Sequence, residues 1–427
     1  MVLHPMAHGQ GDVLQLMPLW PVIWTLTAIF DLRSAALLKA VDARRQRMVV
    51  LLKGIETGLA YFSVFAVAIH HGLFLTLLAA GSVWVLIPWQ RLQSWSWGAA
   101  AGLVVAVALL LPLLHPVFQI LRDNQFDREE SLVGELSARW SDVLLVAPTA
   151  LIRFPSVAAN RPWYLLPGVI RFLFALLALT ALCRRARLRS RLLVLFLLLM
   201  GIESVVFSLG TNLTLGGWKP WLTLCQWCPG FSQVRSAFRF GYFFQISVIL
   251  LSAVGFDVLS RWLLRAVPRW PCGATYLLGV VAMLLAFEVP PARVKVVGVP
   301  DLSKVYPWQE FLQRNLVPGK CAVFLPYVTG RSVEQFDLTV RWMLRTTPMH
   351  IPILNGYSGF FPPAHFTSQK LLTNDPFSAE SLDHLQEAGV QYLVVQGPPI
   401  APTSVSRKHR VELVYQDKSG MMIFSLD

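Results

Sequence analysis

Residues 187–210 read RLRSRLLVLFLLLMGIESVVFSLG, a cluster of arginines followed by a long apolar run. A helix needs about 20 mostly apolar residues to cross a bilayer, and the run 192–210 meets that requirement. Seven other stretches before residue 290 have a similar composition, and these are 13–30, 48–69, 71–89, 98–117, 164–182, 241–259 and 273–289. The sequence therefore predicts a polytopic α-helical membrane protein with about eight transmembrane helices.

The composition of the whole chain agrees with this class. Of the 427 residues, 55% are hydrophobic and 14% are charged, whereas soluble domains carry about 25% charged residues. This excludes a disordered chain, a collagen-like chain and an ordinary soluble protein. The net charge of +13 does not indicate nucleic acid as a partner, because membrane proteins concentrate Lys and Arg in their cytoplasmic loops.

Basic residues in the short loops predict the orientation of the helices. Arginines and lysines cluster in residues 33–47, 184–191 and 261–269, which are alternate loops of the eight-helix scheme. All three loops should therefore lie in the cytoplasm. Both termini, residues 119–163 and residues 211–240 should lie outside it. The expected location is the cytoplasmic (inner) membrane of a bacterium.

The composition changes at Pro290-Pro291, which divides the chain into a transmembrane domain, residues 1–289, and an extracytoplasmic domain, residues 290–427. The second domain alternates helical and strand patterns, so we predict a soluble α/β domain with a mostly buried sheet. Its expected helices are 302–316, 336–346 and 376–388. Its expected strands are 321–327, 351–355 and 390–395, followed by a hairpin of 411–415 and 421–426.

A series of short motifs in a fixed order indicates a family. Ser208-Leu209-Gly210 ends one helix, and Pro229-Gly230-Phe231 and the segment Arg235 to Phe240 lead into the next. Val305-Tyr306-Pro307-Trp308, Leu325-Pro326 and Asn355-Gly356-Tyr357 follow in the α/β domain. This order resembles the C-terminal half of bacterial membrane proteins of the GT-C glycosyltransferase-like superfamily, which carry an extracytoplasmic α/β domain after their last helix.

The resemblance implies an enzyme that uses polyprenyl-phosphate-linked sugars. In that family the catalytic acid lies in the first large outer loop, which would precede Met1 here. No catalytic residue is therefore assigned, and we expect either a truncated start or a partner chain that supplies the missing N-terminal helices. The alternative is a non-enzymatic membrane protein whose α/β domain binds a cell-envelope glycan or a partner protein.

Two arginines form the candidate lipid-phosphate site. Arg235 and Arg239 are four residues apart, a spacing that places both on one face of a helix. Guanidinium groups bind phosphate through paired hydrogen bonds, and basic residues at this level hold a lipid phosphate in GT-C enzymes. Anchoring at the membrane interface, or salt bridges to the acidic segment 123–142, is the alternative.

Charged residues within the apolar stretches are expected to be paired, because an isolated charge is costly in a membrane. Arg171 and Glu203 lie at similar depths in sequential helices, so we predict an intramembrane ion pair between them. Lys53 and Glu56 are three residues apart and should pair along one helix.

No metal site is predicted, since no His or Cys cluster has metal-ligand spacing. A divalent cation held by the outer acids is the alternative to a solvated acidic face, and these acids are Asp127, Glu129, Glu130, Glu135 and Asp142. Residues 131–145 are expected to form an interfacial helix. Cys225 and Cys228 form a CxxC pair for which a local disulfide and free thiols both stay open. His70, His71 and His115 are expected to be packing residues at helix ends.

Overall fold

The computed structural model describes most of the chain, and it divides into two compact units, residues 1–295 and 296–427. The boundary predicted at residue 290 adjoins a stretch that is not described. The described ranges are 18–38, 42–124, 130–153, 163–183, 188–228, 230–267, 271–290, 301–327, 333–356, 363–396 and 410–426.

The described part of the first unit is mainly helical, and each of the eight predicted apolar stretches overlaps a helix there. Two of the helices are short and lie in the connections between longer ones, and these are Glu130–Glu135 and Pro220–Trp227. In chain order the helices are α1 Trp20–Leu37, α2 Ala43–Val67, α3 Ile69–Ser82, α4 Leu92–Asn124, α5 Glu130–Glu135, α6 Val169–Cys183, α7 Leu188–Ser208, α8 Pro220–Trp227, α9 Gly241–Ala266 and α10 Pro271–Phe287.

Five of the described helical segments are long and apolar enough to cross a membrane. They are Ala43–Val67, Ile69–Leu86, Trp89–Ile120, Ser190–Ser208 and Ala237–Ala266. Two shorter apolar helices, Val169–Leu182 and Cys272–Phe287, accompany them. Helices of membrane-spanning type are thus confirmed, whereas the number of eight spans stays a prediction.

Glycines set the distance between α2 and α4. A Cβ atom at Gly54 would collide with the carbonyl oxygen of Gly98, and one at Gly58 would collide with that of Gly102. Each helix therefore carries two glycines four residues apart at the same contact, the spacing that lets membrane helices approach closely. The two backbones meet along this line.

One connection is as short as the predicted spans 48–69 and 71–89 imply, and another differs from the expectation. A single extended residue, Ala68 (φ −154°, ψ 109°), separates α2 from α3. The interfacial helix expected at 131–145 is wrong beyond Glu135, where α5 ends. A short 3-10 turn, Trp140–Leu144, follows instead. The Asp142 carboxylate accepts a hydrogen bond from the Arg139 amide at 2.8 Å and so caps the start of this turn.

The second unit is an α/β sandwich, as predicted. Its described residues form four strands in the order β1-β2-β4-β3, with β1 parallel to β2 and the remaining pairs antiparallel. In chain order its elements are α11 Pro307–Asn315, β1 Cys321–Leu325, α12 Val333–Thr346, α13 Pro363–Asn374, α14 Ala379–Glu387, β2 Val390–Gln396, β3 Val411–Gln416 and β4 Met421–Leu426.

Alternate residues of the strands face two separate cores. Phe324 of β1 packs with Trp308 and Trp342, whereas Val323 packs with Phe377 and Leu385. Two expectations differ from the structure. The strand expected at 351–355 is reduced to one bridge between Ala322 and Ile353, because the Asn355 side chain bonds both the amide and the carbonyl of Phe324 at 2.9 and 2.8 Å. Helix α13 was not predicted.

Candidate functional site

The motifs of the membrane domain meet at one end of the helix bundle. The Phe238 amide donates to the Leu136 carbonyl at 3.1 Å, and the Ala138 amide donates to the Ser208 carbonyl at 2.8 Å. The Asn212 side chain adds a hydrogen bond to the Ala138 carbonyl at 3.1 Å. We call this region, residues 134–142, 208–212 and 236–240, the helix-end junction.

Aromatic rings and one glycine make the junction compact. The Phe238 ring stacks on Trp163 with their centroids 3.6 Å apart, and the Phe240 ring stacks on Phe74 at 4.0 Å. Gly210 has a left-handed φ of 49°, and a Cβ there would collide with the Ser137 hydroxyl. A residue with a side chain does not fit at this position without moving its neighbours.

The structure corrects the geometry expected for Arg235 and Arg239. Ala237–Phe240 forms a 3-10 turn, and α9 begins only at Gly241. Arg235 precedes the turn, so the two arginines do not share a helical face. Arg239 is buried, with its guanidinium carbon 5.8 Å from the centroid of the Phe238 ring, and Arg235 is half-buried. Phosphate binding by this pair stays a prediction.

An apolar cleft of about 350 Å³ lies between α6, α7 and α9, and Trp140 of the junction is part of its lining. Its lining along α9 begins at Phe244, little more than one helical turn after Arg239. Ser247 also lines it, and the Ser247 hydroxyl is buried with no hydrogen-bond partner among the described residues. Exposed Trp140 and Ile202 lie at its margin. The cleft suits an elongated apolar ligand.

The structure gives Arg171 and Glu203 different neighbours, so the predicted ion pair is wrong for the described residues. Arg171 Nε donates to the Leu285 carbonyl at 2.8 Å, and Nη2 donates to the Ala286 carbonyl at 3.0 Å. Its backbone amide donates to the Glu288 carboxylate at 3.0 Å. The physical reason is that α6 packs mainly on α9 and less extensively on α7, and its first turn meets the end of α10, which supplies the partners of Arg171.

The second predicted pair, Lys53 with Glu56, is confirmed, and a third charged residue, Asp31, joins it. Lys53 Nζ lies 2.7 Å from Glu56 Oε2 and 3.1 Å from Asp31 Oδ2. The indole nitrogen of Trp24 donates to Glu56 at 3.5 Å. One lysine thus balances two carboxylates on neighbouring helices α1 and α2.

The outer acids do not form a common site within the described residues. Glu130 pairs with Lys219, Glu135 is exposed, and the buried Asp142 caps the start of the 3-10 turn Trp140–Leu144. Asp127 and Glu129 lie outside the described residues. Among those described, no group of three or more His, Cys, Asp or Glu side chains is placed to hold a metal ion.

The cysteines and histidines have structural surroundings. Cys225 and Cys228 do not form a disulfide, and Cys225 Sγ lies 3.9 Å from the Phe231 carbonyl oxygen. His71 is buried against the rings of Tyr242 and Phe243, with centroids 5.3 and 6.1 Å away, as expected for a packing residue. His70 lies near Phe74, whereas His115 is exposed.

Sequence reasoning missed a buried polar group in the α/β unit. The Tyr327 hydroxyl, just after β1, hydrogen-bonds His365 Nδ1 of α13 at 3.0 Å. Burial raises the pKa of Tyr327 to about 12 and lowers the pKa of His365. On the same helix, the Ser368 hydroxyl hydrogen-bonds His384 Nε2 of α14 at 2.8 Å. An unpredicted helix supplies half of this network, so no sequence signal could have assembled it.

Comparison with known proteins does not assign a family. The chain matches no family model, and no curated protein matches it. A relationship to the GT-C superfamily therefore stays a prediction from the motifs.

Proposed function

We propose that the protein binds a polyprenyl-phosphate-linked sugar at the helix-end junction, as a GT-C glycosyltransferase-like membrane protein of the bacterial cell envelope. The observation that carries this proposal is the position of the apolar cleft, which begins beside the segment that holds Arg235 and Arg239. A polyprenyl phosphate has the matching chemistry, since a long apolar chain ends in an anionic group.

The apolar part of the ligand would occupy the cleft between α6, α7 and α9. Exposed Leu176 and Ile202 line its open side, so a chain can enter from the lipid phase. Burial of apolar surface contributes about 25 cal/mol per Å², which makes the chain the main source of affinity.

The anionic part would lie at the junction. Arg239 is buried among aromatic rings, where a charge-assisted hydrogen bond is stronger than in water. Arg235 is half-buried on the approach to the same turn. The proposal assigns no catalytic residue and no metal ligand. A divalent cation as cofactor and a second chain that brings an acidic outer loop are further parts of it.

Mass spectrometry of lipids that co-purify with the full chain tests this proposal. The double variant Arg235→Gln, Arg239→Gln should lose bound polyprenyl phosphate by at least about tenfold, because each charge-assisted hydrogen bond contributes roughly 1.5–3 kcal/mol. Ser247→Phe, which fills the cleft, should lose it as well. Arg261→Gln is the matched control, since Arg261 lies at the other end of α9 in an exposed pair with Asp257. Equal lipid content in all variants would contradict the proposal.

The proposed topology has eight spans with both termini outside the cytoplasm. Its test uses single cysteines introduced into a chain without its native cysteines. A cysteine at exposed Glu380 should react with an impermeant thiol reagent in intact cells, and one at exposed Arg45 should react only after lysis. The opposite pattern would reverse the orientation.

One observation favours the alternative function, in which the α/β unit binds a cell-envelope glycan. The Tyr327–His365 pair lies at the carboxyl end of β1, the edge at which sheets with parallel strands bind ligands. Binding of the full chain to isolated cell-wall glycan, lost in Tyr327→Phe and kept in Arg235→Gln, would support this alternative over the lipid carrier.

A further inference from the structure

We propose that Glu203 is a proton-binding site within the helix bundle, a carboxyl group that carries an exchangeable proton at neutral pH. This inference does not depend on the proposed function, because Glu203 does not line the apolar cleft.

The position of Glu203 is set by a glycine of the neighbouring helix. Its carboxylate lies against Gly81 of α3, where a Cβ would collide with Glu203 Oε1. Any other residue at position 81 would push the carboxyl group away. Glu203 Oε2 is buried and has no hydrogen-bond partner among the described residues. The close contact leaves this oxygen facing protein rather than water.

No described residue supplies a counter-charge to Glu203. The described elements that pack on α7 include α3, the turn Val83–Leu86, the turn Ala237–Phe240, α6 and α9. Helix α1 also reaches it, where the Phe30 ring meets the Phe196 ring with centroids 5.7 Å apart. None of their described titratable side chains pairs with Glu203, and these are Asp31, Arg33, His70, His71, Arg171, Arg239, Tyr242, Asp257, Arg261 and Arg265. Arg171, the partner expected from the sequence, is bonded to α10 instead.

Two other glutamates of this unit have the partners that Glu203 lacks. Glu56 lies 2.7 Å from the Lys53 ammonium. Glu288 accepts backbone hydrogen bonds from Ile170 and Arg171 at 2.6 and 3.0 Å. Glu203 has neither a cation nor a donor among the described residues. In apolar surroundings an unpaired charged form is costly, and a carboxylate in that position takes up a proton instead.

Proton exchange at Glu203 acts on the contact between α3 and α7. Release of the proton places a negative charge directly against the backbone at Gly81, while uptake removes it. The side chain is partly exposed, and Ile202 beside it is 53% exposed, so the group can be reached from the surface of the bundle. A proton bound here therefore favours the close packing of the two helices.

The first test is labelling of the full chain, in native membranes, with the membrane-soluble reagent dicyclohexylcarbodiimide. A protonated carboxyl group adds to this reagent: its proton moves to a nitrogen, its oxygen bonds to the central carbon, and an acyl shift to nitrogen gives a stable N-acylurea with no leaving group. Peptide mass spectrometry should find Glu203 labelled at least about tenfold more than Glu56 and Glu288, because a paired carboxylate stays ionised. Labelling should fall as the pH rises.

Infrared spectroscopy tests the protonation directly and does not depend on access of the reagent. The spectrum of the unaltered protein minus that of Glu203→Gln should contain the C=O band of a protonated carboxylic acid at neutral pH. Glu56→Gln is the matched control and should remove carboxylate bands only. A difference spectrum for Glu203→Gln with carboxylate bands alone would overturn the proposal, whatever the labelling shows.

Discussion

Glu288 caps the N-terminus of α6, the helix of Arg171, and Arg171 caps the C-terminus of α10, the helix that Glu288 follows. The Glu288 carboxylate, just after α10, accepts hydrogen bonds from the first amides of α6, at Ile170 and Arg171. The Arg171 guanidinium in turn donates to the carbonyls of Leu285 and Ala286 at the end of α10. An acid at a helix N-terminus and a base at a C-terminus both favour the helix dipoles.

Removal of Glu288 should therefore destabilise the bundle strongly. Glu288→Ala leaves the amides of Ile170 and Arg171 without their acceptor and removes the negative charge near the buried Arg171 guanidinium. Loss of one member of a buried charged pair costs about 3–5 kcal/mol. The free energy of unfolding in detergent measures the effect. Asp257→Asn, which breaks an exposed pair with Arg261, is the control and should cost less than about 1 kcal/mol. Equal losses would show that the reciprocal caps contribute no more than a surface pair.

The Lys53 cluster should respond unequally to neutralisation of its members. Lys53→Met leaves Asp31 and Glu56 as two carboxylates without a cation, whereas Glu56→Gln leaves Lys53 still paired with Asp31 at 3.1 Å. We expect the lysine variant to lower the midpoint of thermal unfolding more than the glutamate variant. The double variant Lys53→Met, Glu56→Gln should recover part of the loss. A larger fall in the midpoint of thermal unfolding for Glu56→Gln than for Lys53→Met would show that Asp31 does not share Lys53.

The glycine contact between α2 and α4 gives a steric prediction. Gly54→Ala places a methyl group against the backbone carbonyl of Gly98, which cannot move as a side chain can. Overpacking of this kind costs about 1–3 kcal/mol. Gly279→Ala on α10 is the matched control, because nothing lies within 4 Å of its added Cβ. Unfolding of both variants in the same detergent gives the comparison, and similar stabilities would contradict a close helix contact.

The α/β unit should lose stability as the pH falls below about 6.5, the ordinary pKa of histidine. Burial lowers the pKa of His365, so in this range the unfolded chain binds more protons than the folded one. Stability then rises with pH, with a slope of at most about 1.4 kcal/mol per pH unit for one group. His365→Gln should flatten this part of the pH profile, measured by denaturant titration. A profile unchanged by the substitution would assign the pH dependence to other groups.

The apolar runs and the terminal hairpin were predictable because each depends on a local pattern, either about 20 apolar residues or alternation around a turn. The prediction of an Arg171–Glu203 pair failed because it assumed that sequential helices are the closest neighbours. The partner of Arg171 lies 117 residues further along the chain. Asp31 was missed because it lies one residue beyond the predicted span 13–30. The face expected for Arg235 and Arg239 failed because the α-helix begins only at Gly241.

The separation of Arg171 from Glu288 also has a consequence for synthesis. At about 5–20 residues per second, the 117 intervening residues take roughly 6–23 seconds to appear. Helix α6 therefore leaves the ribosome long before its cap exists. During that interval the guanidinium of Arg171 needs another polar environment, such as the water-filled insertion channel or the headgroup region. The residue that follows α10 supplies the carboxylate that caps α6, so a late step of synthesis stabilises a helix from the middle of the chain.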